Sequence, residues 1–344
     1  MGVFSRSTPT PLDGVDVVLA DLDGVVYAGA GARPYAVESL NAAAAAGRRL
    51  GFITNNASRT DASVASHLSE LGIPTRPEEV VTSPQAAMSL LTARVAPGST
   101  ILVVGGEGLV VEVEKAGYTV TRSALDQPAA VVQGFAPEVS WKDLAEAAYA
   151  LHLPEDEGGI PWIATNTDWT IPQARGIAPG NGTLVSAVHT AVGRLATVAG
   201  KPEVPIFTEA IERFAAHKAL FIGDRLDTDI LGANRAGIDS VLVLTGIDRP
   251  KHVLAAPAGS QPTYILGDLR ELFEPYPQIR VRGAVTEVRG ARVRIDGADV
   301  IIEAEGDRPV DLLRAGAAAI WATGRQIFGF RVPERLYADP FLRP

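Results

Sequence analysis

Two aspartates stand two residues apart at the end of an apolar run: Val17 to Ala20 leads straight into Asp21-Leu22-Asp23-Gly24-Val25. Such a run is the pattern of a strand buried on both faces of a parallel sheet. An acid that ends it emerges at the carboxyl edge, where open α/β folds gather their ligands. A carboxylate placed there can serve as a nucleophile, a proton carrier or a cation ligand. Asp23-Gly24 taken alone is also an ordinary Asp-Gly turn, but that reading gives no reason for Asp21.

A second acidic strand end, Gly223-Asp224-Arg225-Leu226-Asp227-Thr228-Asp229, follows the apolar run Ala219 to Ile222. An exposed turn capping the next helix would suit Asp227 or Thr228 better than Asp224. Carboxylates crowded at one sheet edge repel unless a cation neutralises them. With five histidines and no cysteine in the chain, an all-oxygen donor set favours a hard ion such as magnesium. A third strand end, Ile53-Thr54-Asn55-Asn56-Ala57-Ser58, offers a hydroxyl and amide groups able to donate to phosphoryl oxygens. Gly200-Lys201-Pro202 places a lysine ahead of a predicted helix; alone it reads as a solvated surface lysine, and its weight comes from its company.

The elements that must position these residues alternate as in an α/β fold. Tyr35 to Ala46 is helix-forming, Leu50 to Thr54 reads as a strand, and Asp61 to Leu71 as a helix stopped by Gly72 and Pro74. A matching late block has helix over Val204 to Ala215, strand over Ala219 to Gly223, helix over Thr228 to Ala236 and strand over Ser240 to Leu244. Between them, Ser83 to about Val198 carries its own strands near Ile101 to Val104, Ala130 to Gln133 and Trp162 to Thr165, enough for an inserted domain. After Tyr276-Pro277 the texture changes. Ile279 to Glu287, Ala291 to Ile295 and Val300 to Ala304 look like short antiparallel strands joined by Arg-Gly and Asp-Gly turns. Pro309 to Trp321 reads as a helix and Ile327 to Val332 as another strand.

Bulk properties narrow the function classes. A chain of 344 residues exceeds what one core usually serves. Its 47% hydrophobic and 21% charged residues are an ordinary globular balance, with no apolar run long enough to cross a bilayer. A net charge of -9 argues against a nucleic-acid partner and points to small substrates. The absence of cysteine excludes disulfides, thiolate nucleophiles and cysteine zinc sites, and fits a cytoplasmic setting. Met1 to Leu12 lacks the apolar core of a signal peptide and reads as a disordered lead-in. Gly105-Gly106-Glu107-Gly108 lacks the full dinucleotide fingerprint and reads as a tight strand-to-helix turn, and the four tryptophans are scattered rather than interleaved with basic residues.

The order Asp21-x-Asp23, Thr54, Lys201 between its glycine and proline, then Gly223-Asp224 with Asp229, resembles the haloacid dehalogenase-like phosphatases over about Val15 to Leu272. The wording Asp21-Leu22-Asp23-Gly24-Val25-Val26-Tyr27, the wording Thr54-Asn55-Asn56-Ala57-Ser58 and the long insertion before Lys201 are similar to the branch of nitrophenylphosphatases, pyridoxal phosphatase, phosphoglycolate and glycerol-3-phosphate phosphatases and NagD-type nucleotidases. The added C-terminal unit makes the chain look most like the bacterial glycerol-3-phosphate phosphatases of that branch.

The resemblance implies a Rossmann-like three-layer core over 12–83 and 199–275, an α/β cap of the C2 type over 84–198, and a small α+β accessory domain over 277–344. It implies that Asp21 attacks phosphorus, that Asp23 protonates the leaving group and activates water, and that the product of the first step is an aspartyl phosphate. Magnesium would be held by the Asp21 carboxylate, the Asp23 main-chain carbonyl and Asp224, with Asp229 behind them. Thr54, the Asn55 and Asn56 amides and Lys201 would hold the phosphate.

Asn166, Asp168 and Arg175 are candidate cap contacts to the rest of the substrate, although turn stabilisation explains such residues equally well. Glycerol 3-phosphate leads pyridoxal phosphate, phosphoglycolate, sugar phosphates and nucleotide monophosphates as the expected substrate. A non-catalytic phosphate-sensing module on the same fold is the alternative of another class. For the C-terminal unit, packing or homodimerisation is the expected role.

Overall fold

Val17–Asp21 is a strand with every residue buried. It pairs in parallel with Ala219–Gly223, Val17 opposite Ala219 through Ala20 opposite Ile222. Ala219–Gly223 pairs in parallel with Asp239–Val243, and that strand in turn with Tyr264–Leu266. Valine, isoleucine and leucine suit strands covered on both faces, and each such side chain fully buried stabilises the fold by about 1.5–3 kcal/mol. Because all four strands run the same way, their carboxyl ends and the acids that follow them share one edge. The computed structural model describes residues 9–29, 31–173 and 175–338; most of the expected N-terminal lead-in lies outside them.

The chain folds as two compact units, one of residues 1–50 with 214–344 and the other of 51–213. In the first, Asp16 staples the sheet just ahead of Val17: its carboxylate accepts from the backbone N–H groups of His217 at 3.0 Å and Lys218 at 2.8 Å and from the Arg49 guanidinium at 2.9 Å. Partial burial would raise the pKa of this acid, but the two amides and the arginine outweigh it and hold the value below the usual carboxylate range.

In the second unit, Phe52 to Thr54, the end of the strand Arg49–Thr54, pair in parallel with Val80–Thr82, Thr54 opposite Thr82. A five-stranded parallel sheet follows, in the order Thr197–Val198, Trp162–Ala164, Ala130–Gln133, Thr100–Val104, Thr119–Thr121. The helix Ser83–Thr92 starts on a reciprocal cap, in which Thr82 and Gln85 exchange side-chain and backbone hydrogen bonds and Pro84 stands in the first turn.

The C-terminal segment is a four-stranded antiparallel meander, Arg280–Arg282, Val285–Val288, Ala291–Asp296 and Asp299–Ala304, with Pro309–Trp321 as its helix. Apolar side chains from this segment, among them Val293, Leu312, Leu313 and Ile320, join Leu226, Ile230, Leu242, Leu244 and Val253 of the parallel-sheet region in one buried cluster.

Four elements differ from expectation. Ile279 to Glu287 is two strands, because the chain turns at Gly283 so that Arg282 pairs with Val285. Val204 to Ala215 shortens to Pro205–Arg213, and Ala215 beyond it has a left-handed φ of 42°. Thr228 to Ala236 is entered by a wide π-helical turn, Leu226–Ile230, before the α-helix Leu231–Arg235. Ile327 to Val332 is not a strand. It forms a 3-10 turn over Ile327–Gly329, leaving only a single bridge between Arg331 and Asp299. Among the described residues no helix is long and apolar enough to cross a membrane.

Candidate active site

The parallel register places Asp21 and Asp224 just beyond the last paired residues, Ala20 and Ile222. Asp229 returns to them from the wide turn. Carboxylate oxygens of Asp21, Asp224 and Asp229 all lie within 4.8 Å of one another. The three residues are buried, at 8%, 0% and 1% exposure.

Each acid is aimed by its surroundings. Asp229 Oδ2 accepts from the backbone N–H of Asp224 at 3.1 Å and of Arg225 at 3.2 Å. This capture pulls the side chain back over the strand end and accounts for the widened turn. Asp224 Oδ2 accepts from Ile247 N–H at 2.7 Å.

The space around Asp224 is closed by two glycines: a Cβ on Gly24 would stand 2.1 Å from Asp224 Oδ2, and one on Gly246 would stand 1.9 Å from it. Gly24 also has a φ of 90°, which side chains resist. The Leu22–Tyr27 loop is tied down by hydrogen bonds from Val26 and Tyr27 N–H to Leu22 O and from Gly24 N–H to Tyr27 O. Asp23 stands in this loop with an exposed side chain.

Two ionised carboxylates at that separation repel by roughly 3 kcal/mol at an effective dielectric constant of about 20, and three multiply the cost. A divalent cation removes it. The donor set is oxygen only, which fits a hard ion of the magnesium or calcium kind rather than zinc or copper.

A second polar cluster lies within the other compact unit. Asn55 clasps Lys201 from both sides of its backbone: Oδ1 accepts from Lys201 N–H at 2.8 Å, and Nδ2 donates to Lys201 O at 3.0 Å. Nδ2 also reaches both Asp168 oxygens at 3.2 Å. The Asn55 carbonyl accepts from Ser83 Oγ at 2.8 Å and Asn166 Nδ2 at 2.7 Å.

Of the residues predicted for this region, Asn55, Asn166, Asp168 and Lys201 are therefore gathered, with Thr54 next to Asn55 in the chain, while Arg175 is exposed between the hairpin strands Thr170–Gln173 and Gly176–Pro179. Thr54 Oγ1 accepts from Asn56 N–H at 3.1 Å, which leaves the hydroxyl proton to donate elsewhere. The Asn56 side chain instead holds Ser58, accepting from its N–H and its hydroxyl at 2.8 Å each.

Comparison with known families matches residues 18–119 to haloacid dehalogenase-like hydrolase and residues 198–272 to the HAD-hydrolase-like family, more than half of the chain. The chain belongs to the haloacid dehalogenase-like hydrolases. Within the family it is 42% identical over 314 residues to D-glycerol 3-phosphate phosphatase of Mycobacterium tuberculosis, covering 89% of this chain and 86% of that protein. The crystal structure of glycerol phosphate phosphatase from the same organism in complex with magnesium superposes with a TM-score of 0.80 at 40% identity, covering 94% of both chains. NagD from Escherichia coli K-12 superposes with a TM-score of 0.66 at 30% identity, covering 74% of this chain and 97% of its own. These are the α/β core and the NagD branch that the motif order suggested.

Sequence reasoning missed one part of this haloacid dehalogenase-like centre, the loop Thr245-Gly246-Ile247-Asp248. Thr245 Oγ1 donates to Gly24 O at 3.1 Å, so the loop is stitched to the Asp23-Gly24 turn as well as to Asp224. Its position directly after the strand Asp239–Val243 was the available signal, since that strand ends at the same edge as the acids.

Proposed function

We propose that the chain is a magnesium-dependent phosphomonoester hydrolase acting on small phosphorylated metabolites, glycerol 3-phosphate first among them. The observation that carries this reading is the buried Asp21, Asp224 and Asp229 triad at a parallel sheet edge. Its relatives add the substrate. The 94% coverage of the Mycobacterium tuberculosis glycerol phosphate phosphatase leaves too few residues unmatched to exclude the C-terminal unit, whereas NagD covers 74% of the chain.

Magnesium, held by Asp21, the Asp23 main-chain carbonyl and Asp224 with Asp229 supporting them, would neutralise the carboxylate–phosphate repulsion. An Asp21 oxygen attacks phosphorus as the bond from phosphorus to the ester oxygen breaks, and Asp23 gives its proton to the departing alkoxide. Asp23 then takes a proton from water, whose oxygen displaces Asp21 and releases inorganic phosphate. The exposed side chain of Asp23 suits a group that must meet substrate and solvent in turn.

Thr54, the Asn55 and Asn56 amides and Lys201 are assigned to the phosphoryl oxygens, and Asn166, Asp168 and Arg175 to the region that selects the esterified group. The functional boundaries we infer are 12–83 with 199–275 for the core, 84–198 for the cap and 277–344 for the accessory unit. A cysteine-free chain supports a cytoplasmic setting.

The test is a panel of glycerol 3-phosphate, phosphoglycolate, pyridoxal phosphate, sugar phosphates and nucleotide monophosphates, ranked by kcat/KM with magnesium and with chelator. Glycerol 3-phosphate should rank first, chelation should abolish turnover, and Asp21→Asn should be inert. A different leading substrate would correct the specificity, and an inert wild type would leave a phosphate-sensing module.

A further inference from the structure

We infer that Asp248 is a positioning residue for the metal centre, a two-point clamp on the segment that carries Asp224. This rests on the reading of Asp224 as a magnesium ligand. Asp248 Oδ2 accepts from Leu226 N–H at 2.6 Å, two residues after Asp224. Its own N–H donates to the Asp224 carbonyl at 3.1 Å. Its other carboxylate oxygen lies 2.9 Å from His252 Nδ1, and the Asp248 side chain is 16% exposed.

The clamp completes a division of labour around Asp224. Asp229 takes the N–H groups of Asp224 and Arg225, Asp248 takes the N–H of Leu226 and the Asp224 carbonyl, and Ile247 N–H fixes Asp224 Oδ2. The three residues of the turn entry, Asp224, Arg225 and Leu226, are thereby held from both flanks, with no bond to substrate required of Asp248. A charge-assisted hydrogen bond from an amide to a carboxylate is about twice as strong as a neutral one, so an aspartate holds this turn more firmly than a hydroxyl would. A ligand whose backbone is fixed in the metal-free protein loses less freedom when the ion arrives.

The test compares Asp248→Ala, Asp248→Asn and an exposed control, Asp296→Asn, by calorimetric titration with magnesium chloride, by steady-state kinetics and by thermal unfolding without metal. Loss of a residue that orients a metal ligand typically weakens binding by about 10–100-fold. Asp248→Ala should fall in that range and raise the magnesium concentration needed for half-maximal turnover. Asp248→Asn, which keeps an acceptor for Leu226 N–H but loses the charge that strengthens it, should recover part of the affinity and fall between Asp248→Ala and wild type.

Unchanged magnesium affinity in Asp248→Ala overturns the proposal, as does equal loss in both variants, which would make charge rather than the hydrogen bond responsible. Amide exchange at Leu226 in the metal-free wild type reads the clamp without any variant. Slow exchange is expected, and exchange at the rate of an open loop overturns it. The magnesium titration, the unfolding and the amide exchange do not depend on any phosphate ester being hydrolysed, whereas failure of the substrate panel would strike the functional reading alone.

Discussion

At the scale of single residues the site is defined as much by missing atoms as by carboxylates. Asp224 is enclosed so closely that neither Gly24 nor Gly246 can carry a side chain without displacing it. Gly246→Ala would place its methyl 1.9 Å from Asp224 Oδ2, on backbone that also presents Ile247 N–H to the same oxygen. The carboxylate must then rotate or the loop must move. We predict that Gly246→Ala weakens magnesium binding by at least about 10-fold, with a similar fall in turnover at fixed magnesium, and destabilises the fold by about 1–3 kcal/mol. Titration calorimetry and urea unfolding check both; magnesium affinity equal to wild type would contradict the close packing. Asp21 and Asp224, two of the three gathered acids, were legible in the sequence because an acid at the end of an apolar strand is conspicuous. Gly246 and Ile247 were not, since they contribute an empty space and a backbone amide, neither of which has a side-chain signature.

At the scale of elements, buried parallel strands write themselves into the sequence as unbroken apolar runs, and so Val17–Asp21, Ala219–Gly223 and Asp239–Val243 lie within a residue or two of their expected places. What local pattern could not supply is any feature settled by distant partners. The wide turn Leu226–Ile230 depends on Asp229 capturing amides behind it, and the clasp between Asn55 and Lys201 joins residues 146 positions apart. Ile327 to Val332 has strand-forming residues, yet with only one bridge available at Asp299 they form no ladder. Asp16 belongs to this scale because it fixes where strands begin. Its folded pKa lies below the ordinary value, so its contribution is complete above the unfolded pKa of about 4 and disappears as pH falls through the folded one. We predict that Asp16→Asn costs roughly 1–3 kcal/mol near neutral pH and progressively less in acid. Urea unfolding of both proteins across that range measures the gap, and a gap that stays constant down to the lowest pH would refute the assignment.

At the scale of the molecule the decisive question is whether the C-terminal segment is an appendage or part of the unit that holds the acids. Its helix Pro309–Trp321 carries Arg314, 2% exposed, which donates to the Ile265 carbonyl at 2.9 Å and to Asp311 and Glu271 at 2.7 Å each. Glu271 in turn accepts from Gly267 N–H at 3.0 Å, so one guanidinium ties the helix to the end of the strand Tyr264–Leu266. The apolar cluster around it contains Leu226 and Ile230, which bound the turn bearing Asp229, together with Leu312, Leu313 and Ile320 of the helix. Removing the segment would uncover the back of the metal-site turn. Removing only Arg314 would leave Asp311 and Glu271 to their longer contacts with Arg289 at 3.8 Å and Arg308 at 3.6 Å, a loss that costs up to about 3–5 kcal/mol. We therefore predict that Arg314→Met lowers the stability of this unit by that amount, and that truncation after Tyr276 gives a chain that aggregates or binds magnesium poorly. Arg314→Met should also lose magnesium affinity less than it loses stability, because the acids themselves are untouched and only their support is weakened. The measurements are urea unfolding, size-exclusion chromatography and magnesium titration. A truncated chain that stayed soluble with unchanged kinetics would show the segment to be an appendage, and the shared cluster would then be contact without consequence.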